Sequence, residues 1–251
     1  MGPDRPGRFR LWAVAVWLLV WQAGSMVLNQ PLLLPSPVTV AACLGRLMAT
    51  PGFWAGLGCS ALRIWGGFFL ACAAGIVCSA LAARFRRMEE LLAPLTATIK
   101  AVPVMSFIIL AFLWLPRRGL LSTLIAFLMA FPVLYGNLLS GIRATDPQLL
   151  EMARVFRVPP GRQLWYIRIP QVLPYFRTAA SLGLGLCWKA GVAAEVIGLP
   201  ARSVGERLYN AKIYFEVPEL FAWTVTIVAV SVAFEKLFLH LVDRAAERMG
   251  Q

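Results

Sequence analysis

Residues 64–83 read IWGGFFLACAAGIVCSALAA, a run of twenty residues without a charge between Arg63 and Arg84. A helix of about 20 apolar residues rises about 30 Å, which is the thickness of the hydrocarbon core of a bilayer. This stretch therefore predicts a helix that spans a membrane. Further spans are expected wherever the chain has a similarly long apolar run without a charge.

Other charge-free windows lie on both sides of this run. The window between Lys100 and Arg117 is short, so this span either has minimal length or begins in the membrane interface near Pro103. Pro132 predicts a kink in the next window. The chain thus reads as one all-α, polytopic transmembrane domain over residues 1–251. Its six predicted spans are residues 11–28, 64–83, 102–116, 119–141, 178–194 and 218–242.

The overall composition agrees with a membrane protein. The chain is 59% hydrophobic and 14% charged, whereas a soluble domain carries roughly 25% charged residues. A net charge of +12 could favour nucleic acid, since clustered cations neutralise phosphates. Here the cations separate apolar runs and form no basic face, so we expect the lipid bilayer as a partner and no nucleic acid.

The basic residues also predict the orientation. Six spans place both termini on one side of the membrane. If the segment 142–177, here called the central loop, is cytoplasmic, sixteen of the 24 Lys and Arg residues lie inside and seven outside, with Lys189 in the membrane. The positive-inside rule then predicts a multi-pass protein of the bacterial inner (cytoplasmic) membrane with cytoplasmic N- and C-termini.

A cleaved signal peptide is the alternative for the N-terminus. Its basic start, apolar run and small residues at Ala23, Gly24 and Ser25 fit that pattern. The apolar run is long for a signal peptide, and cleavage would upset the predicted orientation.

The sequence offers little for catalysis or metal binding. The five cysteines show no C-x-x-C spacing and are interpreted as small core residues. A single histidine, His240, and twelve acidic residues provide no clustered ligands and no paired titratable groups. We expect neither a metal site nor an enzyme.

The central loop predicts two short amphipathic helices joined by a corner. Asp146 and Pro147 are a helix-start signal, a capping carboxylate followed by proline at the first helical position. The helix PQLLEMARVF then ends at the corner VPPG, and a second helix, RQLWYIRI, runs to Pro170. One face of the first helix carries Leu149, Met152, Ala153 and Phe156. Amphipathicity alone also fits an elbow lying on anionic headgroups.

Seven residues of this loop have a spacing that resembles a known motif. They are Glu151, Met152, Ala153, Arg157, Ile167, Ile169 and Pro170. The spacing resembles the E-A-A, x3, G, x9, I-x-L-P loop of the permease subunits of ATP-binding-cassette importers. In that family the loop forms coupling helices that dock on the ATPase subunit.

The match is complete in spacing and partial in identity. Met152 and Ile169 preserve the volume and polarity of the family residues. Arg157 stands where the family has glycine, which would permit a left-handed turn that arginine makes costly. We therefore expect Pro159, Pro160 and Gly161 to redirect the chain instead.

Several other stretches look like the nitrate, sulfonate and taurine type of permease. They are LLLPSPVTV, KAVPVMSFIILAFLWL, IPQVLPYFRTAASLGLGLCWKAGVAAEVIG and LFAWTVTIVAVSVAFEKLF. This resemblance implies the type I importer permease fold and a small anionic solute. It also implies three protein partners: an ABC ATPase, a second permease copy in a homodimer, and an extracytoplasmic substrate-binding protein. The sequence contains no G-x-x-x-x-G-K-[ST] phosphate loop, so we expect this chain to bind no cofactor and its partner ATPase to bind ATP and Mg.

Three residues in or directly after the fifth span are the candidates for a translocation pathway: Trp188, Lys189 and Glu195. A charge at membrane depth costs about 2.5–3.5 kcal/mol, so it normally faces protein, water or a partner. Six residues of ideal helix place Lys189 and Glu195 about 120° apart, which disfavours a direct pair. The hypothesis is that Lys189 attracts an anionic group in a central cavity and Glu195 lies near the external gate. The alternative is that Lys189 makes a buried ion pair or bonds carbonyls at a helix interface.

The competing function is a proton- or ion-coupled secondary transporter. In such a carrier Lys189 and Glu195 would titrate during the cycle. A carrier of this kind is built on inverted repeats, and the two halves of this sequence show no convincing symmetry. A carrier transports without an ATPase, whereas a permease does not.

Overall fold

A computed structural model describes residues 11–30 and 32–249, and every regular element in these ranges is a helix. The helices are α1 (Leu11–Leu28), α2 (Pro37–Met48), α3 (Pro51–Arg84), α4 (Arg86–Ala101), α5 (Val104–Trp114), α6 (Arg118–Arg143), α7 (Pro147–Val155), α8 (Pro160–Gln163), α9 (Ile169–Gly198), α10 (Val204–Ile213) and α11 (Val217–Met249). A π-helical turn, Leu164–Arg168, joins α8 to α9. The predicted cytoplasmic residues Arg5, Arg8 and Arg10 lie outside the described ranges.

Four helical stretches are long and apolar enough to cross a membrane: α3, α6, α11 and the continuous stretch Pro160–Gly198 that contains α9. The pair α4 and α5, bent by 104°, is a fifth candidate. The shorter apolar helix α1 has the bounds predicted for the first span. The predicted fold class, an all-α polytopic membrane protein, is confirmed.

The third predicted span, 102–116, needs correction. Helix α5 has 11 residues and rises about 16 Å, which is too short to cross a bilayer alone. Proline has no N–H to continue the α-helix, and α4 ends at Ala101 just before Pro103. A crossing at this place therefore requires both bent halves.

Two other spans begin earlier than predicted. Helix α3 starts at Pro51 and not at residue 64, with Thr50 as its N-terminal cap residue. Arg63 consequently lies inside the helix and not in an external loop. Helix α9 starts at Ile169, so it covers part of the predicted central loop. Helix α6 continues through Pro132.

The core forms where α6 packs between α3 and α9. Its fully buried side chains include Phe68 of α3, Leu134 of α6 and Leu184 of α9. The approach of α3 to α6 depends on Gly67, since a Cβ atom there would lie 2.3 Å from the carbonyl oxygen of Thr123. Small residues permit such close backbone contacts between membrane helices.

The remaining helices pack around this core. The rings of Trp65 in α3 and Phe234 in α11 stack with centroids 4.1 Å apart. Helix α2 precedes α3, and Ser36 caps its start by accepting a bond from the N–H of Thr39 at 3.2 Å. All five cysteines are free thiols, as the interpretation of core residues requires.

Candidate functional site

The first helix of the central loop, α7, begins as predicted. Pro147 is its first residue, and the Asp146 carboxylate accepts a hydrogen bond from the N–H of Gln148 at 2.8 Å. The N–H of Asp146 in turn donates to Oε1 of Gln171 in α9 at 2.8 Å. The start of α7 is therefore attached to the membrane helix that follows the loop.

The end of α7 differs from the expectation. Arg157 itself adopts the left-handed conformation, with φ of 52°. The N–H of Val158 donates to the carbonyl of Ala153 at 2.9 Å, and the N–H of Arg157 donates to that of Arg154 at 3.0 Å. These two bonds form a Schellman motif, which satisfies the last free carbonyls of the helix. Arginine thus makes the turn for which the family uses glycine, because the two bonds offset its steric cost.

The second helix of the loop also differs from its predicted end at Pro170. Helix α8 passes through the π-helical turn Leu164–Arg168 directly into α9. The N–H of Ile169 reaches back five residues to the carbonyl of Leu164, a pattern that widens the helix. Pro170 is the second residue of α9, where an absent N–H costs little. The loop is therefore continuous with a membrane helix.

The central loop exposes an apolar surface. Phe156 is 74% exposed and Val155 is 78% exposed. Met152, Trp165 and Tyr166 are also exposed. We call these five exposed side chains (Met152, Val155, Phe156, Trp165 and Tyr166) the loop patch. Ala153, in contrast, is the one buried residue of α7. Exposed patches of large apolar side chains mark sites of protein or membrane interaction.

The other residues of the recognised spacing lie around this patch. Glu151 and Pro170 are exposed, whereas Ile167 in the π-helical turn and Ile169 at the start of α9 are half-buried. The seven residues therefore lie on two helical pieces, α7 and the stretch from α8 to the first turn of α9, with Arg157 at the turn between them.

A second candidate region is centred on Glu195, which is 1% exposed near the end of α9. Ser60 Oγ donates to Glu195 Oε2 at 2.5 Å, and Arg63 Nη1 lies 3.5 Å from Oε1. The N–H of Gly205 donates to Oε2 at 3.4 Å. The carboxylate therefore lies at the N-terminus of α10, where the helix dipole favours a negative charge.

The partners of Glu195 make further bonds to neighbouring helices. Ser60 Oγ accepts from the N–H of Val204 at 2.9 Å. Arg63 Nη2 donates to the carbonyl of Ala201 at 3.3 Å, and its own carbonyl accepts from Thr123 Oγ1 at 3.0 Å. We call Ser60, Arg63 and Glu195 the buried clamp. It joins α3, α6 and α9 to the start of α10.

The buried clamp shows how Glu195 is held in this chain, and its place near an external gate stays a prediction. The carboxylate reaches no open surface in this structure, because α3 and α10 enclose it. Sequence reasoning missed Ser60 and Arg63 as its partners. One signal in the sequence could have located them. Thr50 followed by Pro51 is a helix-start pattern, and a helix that begins there contains Arg63 about three turns after its start.

Trp188 also lies away from any open surface. It is 1% exposed, and its ring meets that of Trp65 edge to face at 6.5 Å. Its Nε1 has no hydrogen-bond partner among the described residues. Trp188 therefore packs in the core and does not line a pathway in this structure.

Lys189, in contrast, is exposed on the outer face of α9. Leu182 and Leu186 precede it on the same face. Within the described residues it makes no ion pair or hydrogen bond, so neither form of its alternative, a buried pair or carbonyl bonds, is observed. It lies nine residues before the end of α9, about 14 Å along the axis, which is near the middle of a bilayer whose surface is level with that end.

A cavity of about 200 Å³ opens on the same side of the molecule. Leu186 lines it from α9, one turn from Lys189, and Lys100 lines it at the break between α4 and α5. The ammonium group of Lys100 lies beside Gly136 of α6: its Nζ atom is 3.9 Å from the position that a Cβ atom on this glycine would take. The cavity is otherwise apolar, and none of the described residues that line it carries a carboxylate. Two cationic side chains therefore border one face of the helix bundle.

Comparisons with known proteins agree with these features. The family described as binding-protein-dependent transport system inner membrane component matches residues 74–249. The putative aliphatic sulfonates transport permease protein SsuC of Bacillus subtilis (strain 168) is 29% identical over 96% of this chain and 89% of its own. The taurine transport system permease protein TauC of Escherichia coli (strain K12) is 27% identical over 78% of this chain and 75% of its own. The nitrate import permease protein NrtB of Synechocystis sp. (strain ATCC 27184 / PCC 6803 / Kazusa) is 27% identical over 74% of this chain and 70% of its own.

Proposed function

Because this chain belongs to the binding-protein-dependent inner membrane components and is a permease subunit of an ATP-binding-cassette importer, we propose that two copies of it enclose a pathway for a small anion. A separate binding protein delivers the anion on the outside. A separate ATPase supplies the energy on the inside, where it binds ATP and Mg. Because the chain belongs to this family, we no longer propose the alternative, a proton- or ion-coupled secondary transporter.

The loop patch supports the position of the ATPase. Its large apolar side chains are exposed, and aromatic residues at the centre of an interface contribute much of its binding energy. Two members of the patch, Trp165 and Tyr166, lie in the π-helical turn that leads directly into α9. Movement of a docked ATPase would therefore reach the helix that carries Lys189 without crossing a flexible linker.

The single observation that carries the anion proposal is the unpaired Lys189. An ammonium group at this depth costs about 2.5–3.5 kcal/mol against lipid, so its face of α9 borders either water or a second copy of the chain. The cavity with Lys100 lies on the same face. Two cations without a nearby carboxylate attract an anion such as nitrate or a sulfonate.

The buried clamp has a different part in this proposal. Glu195 holds the start of α10 against α3 and α9 and is a positioning residue for the outer end of the pathway. Both termini and the central loop face the cytoplasm, as the distribution of basic residues predicts.

The experiment is anion uptake by proteoliposomes that contain the permease, its ATPase and its binding protein. We expect Lys189→Met to lower uptake of nitrate or an alkanesulfonate at least about tenfold, since a charge-assisted contact contributes about 1.5–3 kcal/mol. Lys212→Met, an exposed lysine at the end of α10, is the control and should retain uptake. Normal uptake by an assembled Lys189→Met complex, or uptake of an uncharged solute in preference to anions, contradicts the proposal.

A further inference from the structure

The largest cavity that we describe lies at the loop end of the bundle and has a volume of about 430 Å³. Helix α3 lines it from Ile76 to Arg84, and α6 lines it with Leu138 and Ile142. The π-helical turn closes it with Leu164 and Arg168. The cavity therefore separates the membrane helices from the central loop and takes no part in the pathway proposed above.

One end of this cavity is cationic. Arg84 and Arg168 both line it, and no acidic residue does. Among the described residues neither arginine makes a hydrogen bond or an ion pair; Arg84 has only a contact with the ring of Phe85, 5.7 Å from its centroid. The nearby arginines Arg86 and Arg143 are, in contrast, paired with glutamates. The two cavity arginines are thus available to an anion.

A buried hydroxyl group lies in the same cavity without a partner. Thr145 is 9% exposed and lines the cavity, and its Oγ1 atom makes no hydrogen bond. A buried polar atom left without a partner costs about 1–3 kcal/mol. This oxygen is closed off from the cavity by the wall that Thr145 itself forms, so it reaches a bound molecule only if the side chain rotates.

The other end of the cavity is apolar and lies deep. Ile76 lies eight residues before Arg84 in α3, about 12 Å further along the axis. Arg84 and Arg143 end their helices at one level, as expected at the headgroup region of a bilayer. The cavity therefore runs from headgroup depth into the hydrocarbon, which fits a molecule with a charged head and an apolar tail better than a free anion.

We propose that this cavity binds one anionic phospholipid, with its phosphate between Arg84 and Arg168 and an acyl chain along Ile76 and Leu138. Basic pockets between membrane helices on the cytoplasmic side suit such headgroups. The lipid also bridges α3 to the π-helical turn, and through that turn it restrains the central loop. This regulatory consequence rests on the proposed function, whereas lipid binding itself does not.

The test uses the purified complex of permease and ATPase, freed of lipid in detergent and titrated with phosphatidylglycerol or phosphatidylcholine while bound lipid is counted by native mass spectrometry. We expect one tightly bound phosphatidylglycerol and no comparable phosphatidylcholine. Arg84→Gln/Arg168→Gln should weaken that binding about 25-fold, since each arginine near anionic headgroups contributes about fivefold. The matched control is Arg87→Gln/Arg244→Gln, two exposed arginines outside the cavity, which should bind as the unaltered complex does.

A second variant tests the cavity without altering charge. Ala80 lines the apolar part of the cavity and is exposed to it, so Ala80→Phe fills the space with little effect on packing. We expect Ala80→Phe to weaken phosphatidylglycerol binding by a similar factor. If the double arginine variant does not assemble, Ala80→Phe still tests whether the lipid binds in this cavity.

Three results would overturn the proposal. The first is equal binding of the two lipids. The second is unchanged phosphatidylglycerol binding by Ala80→Phe. The third is full displacement of the lipid by millimolar inorganic phosphate or glycerol phosphate, which would make the site one for a soluble anion. None of these measurements involves transport, so a failure here is distinct from a failure of the proposed function.

Discussion

Arg157 holds a backbone conformation that costs a non-glycine residue about 1–2 kcal/mol. Its φ of 52° closes the Schellman motif at the end of α7. Glycine would remove the steric cost. It would also give the unfolded chain more conformational freedom, which lowers the stability of the folded state by about 0.4–1 kcal/mol. The difference between these two effects gives a prediction for this one residue.

We expect Arg157→Gly to stabilise the end of α7 by about 0.5–1 kcal/mol. Amide hydrogen exchange over residues 153–158, followed by mass spectrometry, should slow by about twofold to fivefold. Arg154→Gly is the control, because Arg154 lies within α7 and glycine there should speed exchange. Faster exchange in Arg157→Gly would mean that the arginine side chain itself stabilises the turn.

The buried clamp gives a second prediction at the residue scale. Arg63 and Glu195 are 3.5 Å apart, and the carboxylate is fully buried. Removing one partner of a fully buried pair costs about 3–5 kcal/mol, and we expect a smaller loss here because the remaining Arg63 side chain is 24% exposed. Glu195→Ala should therefore lower the midpoint of thermal unfolding of the purified complex far more than Glu90→Ala, which breaks the exposed pair with Arg86.

A double-mutant cycle separates the pair from the rest of the site. Adding Arg63→Met to Glu195→Ala should recover part of the lost stability, because no unpaired charge then remains. Strictly additive losses from the two substitutions would show that the two side chains do not depend on each other.

At the scale of elements, the sequence predicts most of the helices because their signals are local. Charge-free windows locate α1, α6 and α11, and Asp146 with Pro147 locates the start of α7. The window 102–116 fails because apolar composition does not show whether a helix continues past Pro103. The start of α3 is missed for a related reason. A search for charge-free windows starts the span after Arg63, whereas the helix in the structure includes this charged residue and begins at Pro51.

The site is less predictable than the helices. Residues on one helix, such as the seven of the central loop, follow from spacing. The pair of Ser60 and Arg63 with Glu195 joins residues more than 130 positions apart, and no local pattern carries that information. Helix geometry did disfavour a direct pair of Lys189 with Glu195, but it could not identify Ser60 and Arg63 as the partners of Glu195.

The loop patch carries the prediction for the element scale. Phe156 is highly exposed, and burying a phenylalanine in an interface removes 150–250 Å² from water at about 25 cal/mol per Å². Phe156→Ala should therefore weaken binding of the ATPase at least about tenfold, measured by surface binding of the purified subunits. Leu62→Ala, an equally exposed apolar residue of α3 far from the loop patch in sequence, should leave binding unchanged. Equal binding by Phe156→Ala would exclude this face as the docking surface.

At the scale of the whole molecule, the features form a sequence from one end to the other. The loop patch lies beside the start of α9, Lys189 lies about two-thirds of the way along it, and the buried clamp lies near its other end. One helix therefore connects the surface proposed for the ATPase with the face proposed for the anion. This arrangement works only if the central loop is on the ATPase side of the membrane and is covered by the ATPase.

The most direct measurement is the labelling of a cysteine at position 156 by a maleimide that does not cross membranes. The variant is Phe156→Cys in a chain whose five native cysteines are replaced by alanine, and Lys212→Cys is the reference for the opposite side. We expect position 156 to react only in inside-out vesicles, and to be protected there when the ATPase is bound. Labelling of position 156 from the outside of intact spheroplasts, or labelling that the bound ATPase does not reduce, would contradict the account.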